Sequence, residues 1–382
     1  MKFPSKPRWF CFACGVLFSL VLIGLSVAVF ATLWLDVETV SRYSKVATPV
    51  GSDYFSEQFT YSLASVGAYV IPLSVGTNQS TVANVLLDTG SPDTWVYVST
   101  GYGSRSTSFR PFPTESYTAR YLGGSAYGYL GHDVLNINSF TWRQTFGAVT
   151  RYNIELGHIQ GLLGLSRGGC DGRNLCALSN WALNISAVGF YYDPVSWQGI
   201  FMAGFINETE YCEPGTSLTW LPQTGTFYWT GTVGMTVNGV SLGDRLVAVF
   251  DTGNTFVSMS RRLFDSMNTI LMTNRECSNP AISLVISGKL FTIPKAVLLI
   301  SNSDGACNLR ADVLADNRVS DDLLVGATFL VNFYTVFDIN NDRMGFCPAK
   351  RLSRDRRLED SNQAISKLLD DPSRRSRSHS NY

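Results

Sequence analysis

The chain contains one short pattern twice, and this duplication restricts its fold more than any other feature. Asp88 in "VLLDTG" and Asp251 in "VAVFDTG" each follow an apolar run and precede Thr-Gly. A single Asp-Thr-Gly is typical of a turn, because Asp accepts hydrogen bonds from its own backbone and Gly tolerates positive φ. Two copies, each after a predicted strand, indicate a fold that brings both acids to equivalent places.

The composition describes a globular protein without a nucleic-acid partner. Of 382 residues, 45% are hydrophobic and 13% aromatic, which is enough to fill large cores. The formal charge is zero and only 16% of the residues are charged, so no basic surface for DNA or RNA is predicted.

The sequence also argues against a metal or another cofactor. Its three histidines, His132, His158 and His379, do not form a His-x-x-x-His pair, and no zinc-binding cysteine spacing is present. We therefore expect no metal and no cofactor.

Short β-rich segments separated by glycines and polar turns extend over residues 59–349 and predict a mainly β fold. Residues 350–382 contain nine Lys/Arg and five Asp/Glu. Few apolar side chains accompany these charges, so this segment is predicted to be a disordered, charged tail.

Residues 9–35 form an uncharged run that is long enough to cross a bilayer. Three basic residues precede it and two acidic residues follow it, so residues 1–8 are predicted to be cytosolic. Residues 36–58 then form a stem, and the rest of the chain is lumenal or extracellular in a single-pass type II topology. The alternative is a cleaved signal peptide ending near "AVFA", which would give a secreted protein. Three sequons lie beyond this segment and are candidates for glycosylation: Asn78, Asn184 and Asn207.

Two carboxyl groups held side by side predict hydrolytic chemistry. Both cannot ionise cheaply, so one keeps a proton while the other remains an anion. A water between them is activated by the anion, while the protonated acid donates to the carbonyl oxygen of an amide.

At this point the chain resembles the pepsin-like aspartic proteases over roughly residues 60–349. "GLLGLS" (161–166) and "LLVGATFLVNFYTVFDINNDRMGF" (323–346) resemble further elements of that family in the same order. The resemblance implies a bilobal β fold, with lobes at 59–212 and 213–349, that acts as a monomer on peptide or protein substrates. Its cleft would hold the substrate as an extended strand under a hairpin called the flap.

The resemblance assigns roles to individual residues. It makes Asp88 and Asp251 the catalytic pair. The supporting loops are Thr89, Gly90 and Ser91 in the first copy and Thr252, Gly253 and Asn254 in the second. The flap and substrate-binding residues are Tyr121, Gly123, Gly124 and Trp95.

Two residues depart from the family pattern. Asn254 stands where Ser or Thr is usual, and its amide is expected to donate to the second carboxylate in their place. Leu122 stands where a flap glycine is common. These departures leave open a non-catalytic member that only binds peptide or protein in its cleft.

The cysteines beyond the membrane segment are expected to form disulfides in an oxidising compartment. Cys277 and Cys307 resemble the second-lobe disulfide of the family. Cys170 with Cys176 would close a small loop, which leaves Cys212 for Cys347. Six cysteines permit fifteen pairings, so this connectivity stays a proposal.

A different class of enzyme is suggested by "GLSRG" (164–168), which satisfies the Gly-x-Ser-x-Gly pattern of serine hydrolases. That chemistry needs a histidine later in the chain. After Ser166 the only histidine is His379, in the predicted tail, so we disfavour this function.

Overall fold

The structure, a computed structural model, describes residues 55–60, 69–77, 81–98, 101–121, 123–138, 140–154, 159–169, 173, 175–181, 185–193, 198–273, 280–301, 307–314 and 322–351. All of them belong to one unit, Ala47–Tyr382. The predicted membrane segment and nearly all of the predicted tail lie outside the described residues. Within the described part of the chain, no helix has the length and apolar content needed to cross a bilayer.

Strands dominate the described residues. The first eleven are β1 Phe55–Thr60, β2 Val70–Val75, β3 Thr81–Asp88, β4 Trp95–Tyr97, β5 Arg110–Tyr121, β6 Gly124–Ile137, β7 Phe140–Tyr152, β8 Gly161–Gly164, β9 Ala187–Asp193, β10 Gln198–Ala203 and β11 Thr219–Pro222. The others are β12 Thr230–Val237, β13 Val240–Phe250, β14 Val257–Met259, β15 Ile282–Ile286, β16 Lys289–Thr292, β17 Leu299–Ser301, β18 Cys307–Leu309, β19 Ala311–Val313, β20 Leu323–Val325, β21 Phe333–Asp338 and β22 Arg343–Pro348.

Only one of the described helices is longer than five residues. They are α1 Tyr102–Arg105, α2 Ala177–Trp181, α3 Glu208–Tyr211, α4 Arg261–Thr273, α5 Lys295–Leu298 and α6 Ala327–Leu330. The prediction of a mainly β fold is therefore confirmed.

The described strands form two large sheets. The first has the strand order β11-β22-β21-β9-β10-β1-β2-β3-β8-β4-β7-β6-β5, and the second has the order β16-β15-β12-β13-β20-β14-β19. A separate pair, β17 and β18, completes the described strands. Each large sheet therefore contains one copy of the Asp-Thr-Gly pattern, after β3 in the first and after β13 in the second.

The first sheet connects the two predicted lobes. β21, from the last part of the chain, pairs antiparallel with β9, with Thr335 opposite Phe190. β1 pairs antiparallel with β10, starting at Phe55 opposite Ala203. Residues 55–58 were assigned to the stem from sequence; because their backbone pairs with β10, they belong to the folded domain.

Buried strands carry both aspartates to the middle of the domain. In β2 the side chains alternate between buried and more exposed positions, as expected for a strand with one covered face. The end of β3, Val85 to Asp88, is instead buried at every position, and it pairs in parallel with β8. β13 also pairs in parallel, with β20, so a continuous apolar run precedes each acid because both strand faces are covered.

Aromatic rings form the packing behind the second acid. Phe250, the residue before Asp251, lies with its ring centre 4.9 Å from that of Phe346 and 6.4 Å from that of Phe329. All three side chains are fully buried. Rings of this size fix the end of β13, so the loop that follows starts from a rigid support.

Candidate active site

The two Asp-Thr-Gly loops are joined by four hydrogen bonds. The backbone N–H of Thr89 donates to the hydroxyl of Thr252 at 3.0 Å, and the N–H of Thr252 donates to the hydroxyl of Thr89 at 2.9 Å. Each hydroxyl then donates to a carbonyl in the other copy, Thr89 to Phe250 and Thr252 to Leu87. Both threonines are buried, so this exchange holds the two loops in one relative position.

The carboxyl groups of Asp88 and Asp251 meet between these loops. A Cβ atom placed on Gly90 would overlap the carboxyl group of Asp251, and one placed on Gly253 would overlap that of Asp88. Each glycine also donates its N–H to the acid of its own loop, at 2.8 Å for Gly90 and 2.7 Å for Gly253. Glycine is thus required at both positions because each acid packs directly on the backbone of the opposite loop.

The environment favours a proton on Asp251. Burial raises the pKa of Asp251 well above its ordinary value, and the charge and hydrogen bond of Asp88 raise this pKa further. The N–H groups of Gly253 and Asn254 act in the opposite direction. Two acids this close share one proton, which is the state that acid–base hydrolysis requires.

The two carboxylates differ in the side-chain hydrogen bonds that they accept from their own loops. The hydroxyl of Ser91 donates to Asp88 Oδ2 at 2.5 Å. The side-chain amide of Asn254 was expected to play this part for Asp251, but it donates to the carbonyl oxygen of Phe256 at 2.8 Å and to the hydroxyl of Ser258 at 3.2 Å. That expectation was wrong because the carbonyl oxygen of Phe256 and the hydroxyl of Ser258 lie within reach of the longer Asn side chain. Asp88 is therefore the better stabilised anion.

A hairpin covers the acids, as expected for the flap. β5 ends at Tyr121, which lies opposite Gly124 at the start of β6, and exposed Gly123 belongs to the connecting turn. Gly124 has a φ of 145°, and a side chain there would overlap the carbonyl oxygen of Asn153. This glycine is therefore needed for the tight turn. Leu122, the other unusual residue, lies outside the described residues.

Tyr121 is held in place by Trp95. The indole N–H of Trp95 donates to the Tyr121 hydroxyl at 2.8 Å. Tyr121 lines the same cleft as the two acids, and burial together with the negative charge of Asp88 raises the pKa of its phenol well above the ordinary value. Trp95 itself is fully buried and is not among the described residues that line the cleft, so it positions the flap tyrosine instead of contacting substrate.

An open cleft of about 810 Å³ passes over the two acids. Its volume is within the range that holds a ligand of several residues. Asp88, Asp251, Tyr121 and Gly123 line it, whereas Gly124 is not among its described lining residues. Several lining residues were not predicted from sequence: Asp93, Arg120, Ile154, Phe227 and Tyr228.

Comparison with known proteins places this geometry in a family. The family model described as "Eukaryotic aspartyl protease" matches residues 68–349. The chain belongs to the eukaryotic aspartyl protease family. It is 25% identical to gastricsin from Callithrix jacchus over 321 residues, which is 74% of this chain and 81% of the relative. It is 24% identical to pepsin A from Gallus gallus over 348 residues, 81% of this chain and 90% of the relative.

A solved structure shows the same fold. The aspartic proteinase from Irpex lacteus superposes with a TM-score of 0.65 at 20% sequence identity, and the match covers 77% of this chain and 98% of that one. The pepsin-like bilobal fold expected from the sequence is therefore confirmed.

The disulfides of this family member are partly described. Cys212 bonds to Cys347, which joins the segment after α3 to β22. Cys176 is also disulfide-bonded, and its predicted partner Cys170 lies outside the described residues. Cys277 lies outside them too, so its predicted pairing with Cys307 stays a prediction.

The structure also locates Ser166 and one of the three sequon asparagines. Ser166 is buried, and its hydroxyl donates to the carbonyl oxygens of Gly168 at 3.0 Å and Phe227 at 3.2 Å, which leaves it no nucleophilic role. Asn207 is an exposed helix cap that accepts from the N–H of Glu210 at 3.1 Å. The other two sequon asparagines, Asn78 and Asn184, lie outside the described residues.

Proposed function

We propose that this protein is an aspartic endopeptidase that hydrolyses peptide bonds with a water activated between Asp88 and Asp251. The observation that carries the proposal is the pairing of the two carboxyl groups in an open cleft, with Ser91 supporting only Asp88. Asp88 acts as the base, because donors from Ser91 and Gly90 stabilise its anion. Asp251 carries the proton, because burial and the neighbouring charge raise its pKa.

The reaction follows from these protonation states. The ionised Asp88 removes a proton from the water as its oxygen attacks the amide carbon, and Asp251 donates its proton to the carbonyl oxygen. The tetrahedral gem-diol then breaks its C–N bond: the leaving nitrogen takes the proton held by Asp88, and one hydroxyl of the gem-diol returns its proton to Asp251 as the new C=O forms, which restores both protonation states. No covalent enzyme intermediate is formed.

The cleft suits an extended peptide. β5 is the last strand of the first sheet, so one of its edges is unpaired within the described strands. Residues 118–121 at the end of β5 line the cleft. A substrate strand that pairs with this edge would lie across the acids under Tyr121.

Substitution of each acid tests the proposal directly. We expect Asp88→Asn and Asp251→Asn to lower kcat by at least about 10³-fold on a peptide library, since each removes one partner of the acid–base pair. A statine-type inhibitor should block the wild-type enzyme. Cooperative thermal unfolding at or above the wild-type melting temperature would show that the variants stay folded. Residual cleavage in both variants at the wild-type rate would overturn the proposal.

A non-catalytic, peptide-binding protein is the second candidate. The observation in its favour is that the side chain of Asn254 does not reach the carboxylate of Asp251. This candidate predicts that the wild-type protein binds the statine peptide but cleaves nothing across acidic to neutral pH. Cleavage by the wild-type protein excludes it.

We also propose that residues 9–35 anchor the protein as a monomer in a membrane of the secretory pathway or cell surface, with the protease domain lumenal or extracellular. The uncharged run and the basic residues before it support this proposal. The test is alkaline carbonate extraction of membranes from cells that express the full chain. A protein released in mature form without residues 9–35 would favour the cleaved signal peptide.

A further inference from the structure

The cleft of this protein has an uneven set of charges. Its described lining residues include three acids, Asp88, Asp93 and Asp251, and a single cation, Arg120. Arg120 is the residue immediately before Tyr121 on β5, so its position is about 3.3 Å along the strand from the flap tyrosine. Neighbouring side chains of a strand point to opposite faces, so Arg120 is on the other face of β5 from Tyr121; it still lines the cleft, and its long side chain can reach a peptide residue near the scissile bond.

Arg120 differs from the acids of the cleft in having no partner. Asp88 and Asp251 pair with each other, and Asp93 acts electrostatically on Tyr117 and Tyr121, whose pKa values it raises. Arg120 is exposed, and within the described part of the chain its guanidinium forms no hydrogen bond or ion pair. A guanidinium on a cleft wall without a protein acceptor is available to a ligand carboxylate, which it can bind with two parallel hydrogen bonds.

The pattern of β5 directs this side chain away from the core. Tyr117 and Ala119 are buried in the packing around Trp95, whereas Thr118 and Arg120 between and after them are exposed. Arg120 lies opposite Ser125 in the hairpin, so it belongs to the flap itself. Its charge is thus carried by the element that covers the two acids.

We infer that Arg120 determines specificity: the cleft selects peptides with a Glu or Asp side chain within about two residues of the scissile bond. This inference rests on the proposed peptide-binding function of the cleft. The same cleft lining contains the apolar or aromatic residues Ile154, Phe227 and Tyr228, so other positions of the peptide take apolar side chains. Only the position beside Arg120 takes an acid.

The test uses two sets of peptides in which Glu or Gln occupies one position at a time around an apolar core. One set is cleavable, and the other carries a statine in place of the scissile residue, so that its binding is measured by calorimetry without turnover. At one position we expect the wild-type protein to favour Glu over Gln by about fivefold in both kcat/KM and Kd, the effect of one solvent-accessible ion pair. The preference should appear in KM, since the contact exists before and during the reaction.

Variants identify the residue. Arg120→Gln should reduce the Glu/Gln ratio to one, Arg120→Lys should keep part of it, and Arg120→Glu should favour Lys at the same position. The matched control is Arg143→Gln, which removes an exposed arginine of the same sheet outside the described cleft lining. It should leave the ratio unchanged. Because both peptides of a pair are measured at one pH, titration of the two catalytic acids cancels in the ratio.

The outcomes separate this inference from the proposed function. Cleavage with equal rates for Glu and Gln at every position would overturn the role of Arg120 and leave the endopeptidase standing. A second outcome is that no peptide is cleaved, but statine peptides with Glu bind more tightly than those with Gln and Arg120→Gln removes this difference. That result would overturn the endopeptidase and support the role of Arg120. A Glu preference that persists in Arg120→Gln would also overturn the inference.

Discussion

Thr89 and Thr252 exchange hydrogen bonds in both directions, each giving its backbone N–H to the hydroxyl of the other at 3.0 and 2.9 Å. The two halves of the duplicated pattern are thereby connected through atoms that the pattern itself supplies. The geometry of the acids depends on this connection, because Asp88 and Asp251 immediately precede the two threonines.

The first prediction concerns this exchange. Thr89→Val and Thr252→Val should each lower the free energy of unfolding by roughly 1–3 kcal/mol, because each leaves a buried N–H and a buried carbonyl without a partner. Serine at either position should retain most of the stability and activity. Thr94→Val is the matched control, since the buried Thr94 hydroxyl has no hydrogen-bond partner among the described residues. Urea unfolding measures the free energy of unfolding of each variant. Equal losses of this free energy in Thr94→Val and Thr89→Val would contradict the prediction.

Stability should depend on pH through Asp251. Because burial raises its pKa above 3.8, the folded protein keeps a proton that the unfolded chain loses as the pH rises. This contribution to stability is present below about pH 4 and is lost as the pH rises through the folded pKa. We therefore expect Asp251→Asn to gain stability relative to wild type between about pH 4 and pH 7. The test compares the melting temperatures of wild type and Asp251→Asn across this pH range. A difference between them that does not change with pH would refute the prediction.

Asn254→Ser should move the pH profile of cleavage. A serine hydroxyl at this position would donate to Asp251 as Ser91 donates to Asp88, which favours the anion and lowers the pKa of Asp251. Since Asp251 must be protonated to act, the loss of activity at high pH should begin at a lower pH. The control is Asn254→Ala, which removes the amide without adding a donor. The measurement is kcat/KM as a function of pH. If activity falls at the same high pH in wild type and Asn254→Ser, the prediction is contradicted.

Trp95→Phe should reduce kcat/KM by about tenfold, because the Tyr121 hydroxyl loses the N–H that positions it over the cleft. Trp142→Phe is the matched control. Trp142 is also fully buried and donates its indole N–H, to Gln144 Oε1 at 2.7 Å, but it is not among the described residues of the cleft. Both variants should lose similar stability, and only the first should lose activity. Comparable losses of kcat/KM in the two variants would show that Trp95 has no specific role.

The disulfide between Cys212 and Cys347 closes a sequence separation of 135 residues. The double variant Cys212→Ala/Cys347→Ala should lower the free energy of unfolding by about 3 kcal/mol, since a bond across a long loop restricts the unfolded chain. Guanidinium unfolding of the variant measures this loss. The variant is preferable to a reducing agent, which would also break the bond of Cys176. An unchanged unfolding midpoint would disprove the stabilising role.

The sequence alone determined the acids, the strands that carry them and the mainly β fold. Asp88 and Asp251 were found because the duplicated pattern is local: each strand, acid and glycine lies within a few residues, and local periodicity reports it directly. The disulfide Cys212–Cys347 was also proposed from sequence, with the family resemblance and the nearby cysteine pairs guiding the choice.

Tertiary structure alone decided which way the polar side chains point and what lines the cleft. The side chain of Asn254 donates to the carbonyl oxygen of Phe256 and the hydroxyl of Ser258. Arg120 lines the cleft because β5 is an edge strand beside the acids. Phe227 and Tyr228 reach the same cleft from more than a hundred residues further along the chain. Such contacts depend on non-local strand pairing and on the acceptors that happen to lie nearby, and neither leaves a periodic signal in the sequence.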